Sequence, residues 1–113
     1  MTKQKIRYGI IGCGSMGREH IENLKALDGS VVTALADTHG TSRDAAVALL
    51  ADAATQPKVF DHYGDLLASN LCDAVIIATP NFTHAEVMRD ALPTDLHLLV
   101  EKQIGRASCR ERV

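Results

Sequence analysis

Apolar positions along this chain alternate between short continuous runs and a three-to-four spacing, the pattern of strands buried on both faces separated by amphipathic helices. Ile6–Ile11 is the first run. Met16, Ile21, Leu24 and Leu27 then recur on one helical face until Asp28-Gly29 interrupts it. Val31–Ala36 reads as a second strand, and a second helix starts near Thr41, capped with Asp44, burying Ala46, Leu49, Leu50 and Ala53 before Pro57. Lys58–Phe60 is a short third strand, and Gly64-Asp65 leads into a brief helix using Leu66 and Leu67. Ala74–Ala78 is an unbroken apolar run. Phe82–Leu92 is a fourth helix with a Thr83–Glu86 capping pair and a stop at Pro93, and Leu96–Val100 is a fifth strand. Strands that alternate with helices pair in parallel through right-handed crossovers. The prediction is an α/β domain with a doubly wound parallel sheet, strand order 3-2-1-4-5, ending after the fifth strand.

Between the first strand and first helix stands Gly12-Cys13-Gly14-Ser15-Met16-Gly17, and Asp37 closes the next strand. A G-x-G-x-x-G string alone is weak; here the strand, the helix and the acid at the right distance give it a mechanism. Gly12 lets the chain turn off the strand, Gly14 leaves room for a pyrophosphate, and Gly17 lets the helix lie close. The helix start, with Ser15 and Met16, offers unpaired N–H groups and the positive end of a dipole to phosphate. Asp37 can accept two hydrogen bonds from an adenosine ribose and would repel a 2′-phosphate, which favours NAD, while Arg43 keeps NADP open. The competing reading is a structural glycine turn with a capping aspartate.

Strand order reverses between the first and fourth strands, so Thr79, Pro80 and Asn81 border the same crevice. His84, one turn into the next helix, is placed to reach a ribose or a nicotinamide, or else is a surface histidine. Glu101-Lys102 ends the fifth strand at the same sheet edge, either as a substrate contact or as a solvated charge pair.

Composition narrows the function classes. At 113 residues the chain holds one domain, and its formal charge of −2, with no basic stripe, argues against nucleic acid. No apolar run approaches the roughly 20 residues that span a bilayer, and the N-terminus lacks a signal-peptide core, so the expected compartment is the cytoplasm. Cys13, Cys72 and Cys109 have neither metal nor disulfide spacing, and the five histidines include no tight ligand pair, so no metal site is expected.

Taken together, the glycine run, Ala36-Asp37, Ala78-Thr79-Pro80-Asn81 with His84, and Glu101-Lys102 resemble the N-terminal half of the glucose-fructose oxidoreductase and inositol dehydrogenase family. The resemblance covers residues 5 to 102. It implies a Rossmann domain followed by a C-terminal α/β domain, a homo-oligomer, and oxidation or reduction of a sugar or cyclitol carbinol with NAD or NADP. It assigns Lys102, in what the family writes Glu-Lys-Pro, to substrate binding and catalysis, and Glu101 to the cofactor site. Gln103 departs from that motif, and no position matches the family's downstream aspartate and histidine.

Residues 104–113 look foreign. Ile104 to Val113 reads as the translation of a sequencing-library adapter, ATC GGA AGA GCG TCG TGT AGG GAA AGA GTG, with a TAG stop expected next; the competing reading is a natural basic tail. On the adapter reading, its preceding AG would turn a proline codon's first C into the CAG of Gln103. The expected native domain is therefore residues 1–103, an NAD(P)-binding piece of an oxidoreductase that binds nucleotide without turning over substrate. The alternatives are a dinucleotide-sensing module without catalysis, for which Lys102 has no use, and a methyltransferase-like domain, which leaves Thr79-Pro80-Asn81 unexplained.

Overall fold

The computed structural model describes residues 6–27, 29–53, 56–79 and 81–100, with the side chains of Asn81, Phe82 and His84 outside the description. Five strands and four helices alternate: β1 (Ile6–Ile11), α1 (Ser15–Lys25), β2 (Ser30–Ala36), α2 (Gly40–Leu49), β3 (Lys58–Phe60), α3 (Tyr63–Leu67), β4 (Ala74–Ile77), α4 (Asn81–Ala91) and β5 (His97–Val100). The strands form one parallel sheet in the order β3-β2-β1-β4-β5, as the sequence pattern predicts. Strand bounds agree with the predicted ones to within a residue, because continuous apolar runs leave little choice of where a doubly covered strand begins.

Two apolar layers sandwich the sheet. Ile10, Val32, Leu35 and Ile76 pack with Ile21 and Leu24 of α1 and Ala46 of α2 on one face. Ile11, Ala34, Ala36, Val75 and Ile77 pack with Leu66 of α3 and Val87 and Ala91 of α4 on the other. Strict alternation would put Val32, Ala34 and Ala36 on the same side. The β1–β2 register instead skips one residue, pairing Tyr8 with Val32 and Gly9 with Ala34. Thr33 is the extra residue of a bulge, and its hydroxyl donates to the Leu71 carbonyl at 2.7 Å. That extra residue reverses the parity of β2, so Leu35 meets the α1–α2 layer and Ala34 faces the α3–α4 layer.

Three sequence expectations need correction. Leu27 is 56% exposed, because α1 stops at Lys25 and Leu27 lies beyond its apolar face, and Met16 is only half-buried. Thr41 does not cap α2: the helix begins at Gly40 after His39, since Asp37 accepts the His39 backbone N–H and turns the chain two residues early. Thr83 lies inside α4, which begins at Asn81, so the Thr83–Glu86 pair is not its cap. The polar loop after β3 does supply a cap, with His62 Nδ1 accepting the Gly64 N–H at 2.9 Å.

Candidate cofactor site

The carboxyl ends of β1, β2 and β4 converge through backbone hydrogen bonds that continue the ladders past the strands. Gly12 N–H donates to the Ala36 carbonyl at 2.8 Å, and Ala78 N–H donates to the Ile11 carbonyl at 2.8 Å. Gly12 has φ +98°, and a Cβ there would sit 2.8 Å from the Ala78 carbonyl, so only glycine fits. At Gly17 a Cβ would collide with the carbonyl oxygen of Gly12, so the first turn of α1 lies against the glycine turn itself. Around Gly14 the same construction meets nothing within 4 Å, leaving an open concavity before Ser15. The amides of Ser15, Met16 and Gly17 precede the first intrahelical bond, from Arg18 N–H to Gly14 O, and so remain available to a ligand.

Asp37 clasps this turn. Its Oδ2 accepts the Cys13 N–H at 2.6 Å and its Oδ1 accepts the His39 N–H at 2.8 Å, with the side chain 13% exposed. A carboxylate has about four acceptor positions, so two stay open to hydroxyl groups. Sequence reasoning gave Asp37 to the ribose or, in the competing reading, to a cap; the bond from Cys13 N–H was not foreseen, because it needs the three-dimensional approach of two strand ends.

Two arginines flank the turn. Arg18 reaches back along α1 and donates to the Cys13 carbonyl at 2.9 Å, and Arg43 reaches back along α2 and donates to the Asp37 carbonyl at 2.7 Å. Each is the fourth residue of its helix, and neither helix has an acid in its first turn. A cation at a helix's positive end is electrostatically unfavourable without an anion nearby. That wrong-way charge was the available sequence signal for Arg18, which the motif reading passed over. Between them, the Cys13 side chain is fully buried; burial, then the Asp37 carboxylate, pushes its thiol up to about 12, so it stays protonated and inert.

Across the turn, Thr79 Oγ1 is buried and has no hydrogen-bond partner among the described residues. A buried hydroxyl without a partner is costly, and this one lies where β4 meets the crevice. The cradle at Gly14 and the orphaned Thr79 hydroxyl are the features a bound dinucleotide would complete. Asn81 and His84 follow in the first turn of α4 by their backbones, while Pro80, Glu101 and Lys102 lie outside the described residues. Among the described residues no group of three His, Cys, Asp or Glu side chains is arranged for a metal ion, and no helix is long and apolar enough to cross a membrane. A cleft of about 370 Å³, between Leu66 and His97, opens at the opposite sheet edge. Its lining includes neither the glycine turn nor Asp37.

The model of the oxidoreductase family with an NAD-binding Rossmann fold matches residues 6–106. This chain belongs to the Gfo/Idh/MocA family. As a Gfo/Idh/MocA domain it is 37% identical over 101 residues to a glycosyl hydrolase family 109 protein of Shewanella putrefaciens, covering 85% of this chain and 22% of that protein. It is 34% identical to the inositol 2-dehydrogenase of Leifsonia xyli, covering 91% of this chain and 29% of that enzyme. Among solved structures, myo-inositol dehydrogenase from Lactobacillus casei, in complex with NAD(H) and myo-inositol, superposes with TM-score 0.81 at 32% identity, over 88% of this chain and 29% of that one. The chain thus spans between a fifth and a third of the length of these relatives.

Proposed function

We propose that these residues are the cofactor-binding part of a longer NAD(P)-dependent oxidoreductase, a homo-oligomer of the cytoplasm, that moves a hydride between the nicotinamide and a carbinol of a sugar- or cyclitol-like small molecule. The observation that carries this reading is the glycine cradle held open by Asp37 beside the partnerless Thr79 hydroxyl. The first-turn amides of α1 bind the pyrophosphate, with Gly14 leaving the space and Gly12 and Gly17 setting the approach. Asp37 accepts ribose hydroxyls with its two remaining lone pairs. Thr79 lends its hydroxyl to the same crevice, and Pro80, Asn81 and His84 are assigned to the cofactor on their place in the sequence after it. The cofactor supplies the hydride acceptor; Lys102, with Glu101 beside it, binds the substrate and moves its proton.

Substrate recognition falls to parts of the longer protein, so the 113-residue chain binds dinucleotide without turnover. Titration of the chain with NAD by calorimetry tests this: saturable one-to-one binding supports it, and no binding at any attainable concentration refutes it. Residues 1–103 form an incomplete NAD(P)-binding domain, with Gln103 and the ten residues after it read as adapter-derived. Codons for residues 104–113 that differ from the adapter would overturn that assignment.

The name of the 37% relative favours a second reading, in which the longer protein cleaves a glycosidic bond and the nicotinamide takes and returns a hydride within one turnover. Net NADH accumulation with substrate separates the two, since a dehydrogenase accumulates it and such a glycosidase does not.

A further inference from the structure

We propose that Arg18 is a positioning residue of the glycine turn, fixing the Cys13–Gly14 peptide so that the Gly14 amide faces the phosphates of the dinucleotide. The inference rests on the dinucleotide reading above and deepens it. Gly14 has no Cβ, and nothing stands within 4 Å of where one would be. That space admits a ligand, but it also leaves the residue without a side chain to hold it. A glycine peptide so placed turns over at little cost unless its polar groups are held. Here the residue before it is held at both ends: Cys13 N–H donates to Asp37 Oδ2 at 2.6 Å, and the Cys13 carbonyl accepts from Arg18 Nη1 at 2.9 Å. A carboxylate meets the donor and a guanidinium meets the acceptor, so both bonds are charge-assisted.

The direction of the Gly14 amide follows from the planar trans peptide. The carbonyl and N–H of one peptide unit point opposite ways, and no cis bond occurs among the described residues. A Cys13 carbonyl drawn to Arg18 therefore sends the Gly14 N–H to the other side of the turn. The Arg18 backbone N–H takes the Gly14 carbonyl at 2.9 Å as the first bond of α1, so two successive carbonyls of the turn end on this one residue. The Gly14 amide then joins the first-turn amides of α1 that the helix leaves free. Stability does not account for a cation at this position. Arg18 is the fourth residue of α1, no acid stands in that first turn, and a positive charge there opposes the helix dipole.

Calorimetric titration of the 113-residue chain and its Arg18 variants with NAD, ADP and adenosine tests the proposal. Arg18→Met keeps an apolar stem and loses the donors. It should weaken NAD and ADP by about tenfold, while adenosine, which has no phosphate, changes less than about threefold. Arg18→Lys, with its donors on a long stem, should recover part of the loss. The loss in Arg18→Met should persist in about 1 M salt, because it comes from a misplaced amide and not from a missing charge. Parallel loss of all three ligands overturns the inference and leaves the dinucleotide reading intact, since it marks a folding role. An unchanged NAD affinity overturns it too, as does a loss that vanishes at high salt, which marks a direct ion pair. If Arg18→Met does not fold, the Gly14 amide resonance of the isotope-labelled, unaltered chain decides. It should shift on saturation with ADP and stay in place with adenosine, and the absence of an ADP-specific shift overturns the inference. Failure of both NAD and ADP to bind the unaltered chain refutes the underlying reading and the inference together.

Discussion

Asp37 holds two backbone amides from different loops, so its side chain is part of the turn's architecture as well as of its chemistry. Asp37→Ala should weaken both dinucleotides, because the Cys13 amide loses its acceptor and the cradle loosens. NAD should fall further, by about ten- to a hundredfold, since NADP also sheds a like-charged neighbour. Titration of the variant with both cofactors checks the order, and equal losses would mean that the carboxylate serves the turn and does not read the ribose. Cys13 carries a second prediction. Its thiol ionises near 9 when unfolded and at about 12 when folded, so the folded state keeps the proton that the unfolded state releases. Its contribution is therefore complete below about pH 9 and is lost as pH rises from there toward about 12. Cys13→Ala should flatten the alkaline limb of urea-unfolding stability between those values, and peptide mapping after iodoacetamide at pH 8 should find the native Cys13 unlabelled.

At the scale of elements, the sheet is registered by contacts at both ends of its strands. Toward the carboxyl edge the ladders run on into the cofactor turn; toward the amino edge Arg7 and Asp73 join β1 to the segment before β4. The Arg7 side chain meets the Asp73 carboxylate at 2.9 Å, the Arg7 N–H donates to Oδ2 at 2.9 Å, and the Asp73 N–H returns a bond to the Arg7 carbonyl at 2.7 Å. The Arg7 hydrogen bonds hold the Asp73 carboxyl below its ordinary range. A depressed folded value means stability that is present above about pH 4 and lost as pH falls through the folded value. Both groups are exposed, so the effect is modest and screened by salt. Asp73→Asn should remove part of the acid limb of the stability profile and leave neutral cofactor binding unchanged; an unaltered acid limb by urea unfolding from pH 6 to 2 would contradict this. Helices are tied in the same way, with Lys25 of α1 donating to the Leu49 carbonyl at the end of α2 at 2.6 Å. A cation there complements the negative end of that helix.

For the whole molecule, the outer strands β3 and β5 each pair on one side only among the described residues. Leu99 on β5 is 50% exposed and Val59 on β3 is 38% exposed, which leaves apolar side chains beside unpaired backbone groups. The 113-residue chain should self-associate as its concentration rises, and Leu99→Lys should shift it toward monomer in sedimentation velocity without lowering its melting temperature. Unchanged association would remove β5 as the sticky edge. The strand runs and the glycine motif made the order of elements and the position of the crevice legible, because strand burial and a positive-φ turn are each set by local residue type. Leu27, Thr41 and Thr83 were misread because helix ends depend on which neighbouring group claims the backbone first. A doubly covered parallel sheet and the position of its ligand edge follow from the order of residues, since periodicity and glycine sterics act over a few residues. The bulge at Thr33, the Asp37 clasp on Cys13 and the two arginines folded back on the Cys13 and Asp37 carbonyls follow from the folded chain, because each depends on bonds between groups distant in sequence or on the direction a long side chain takes.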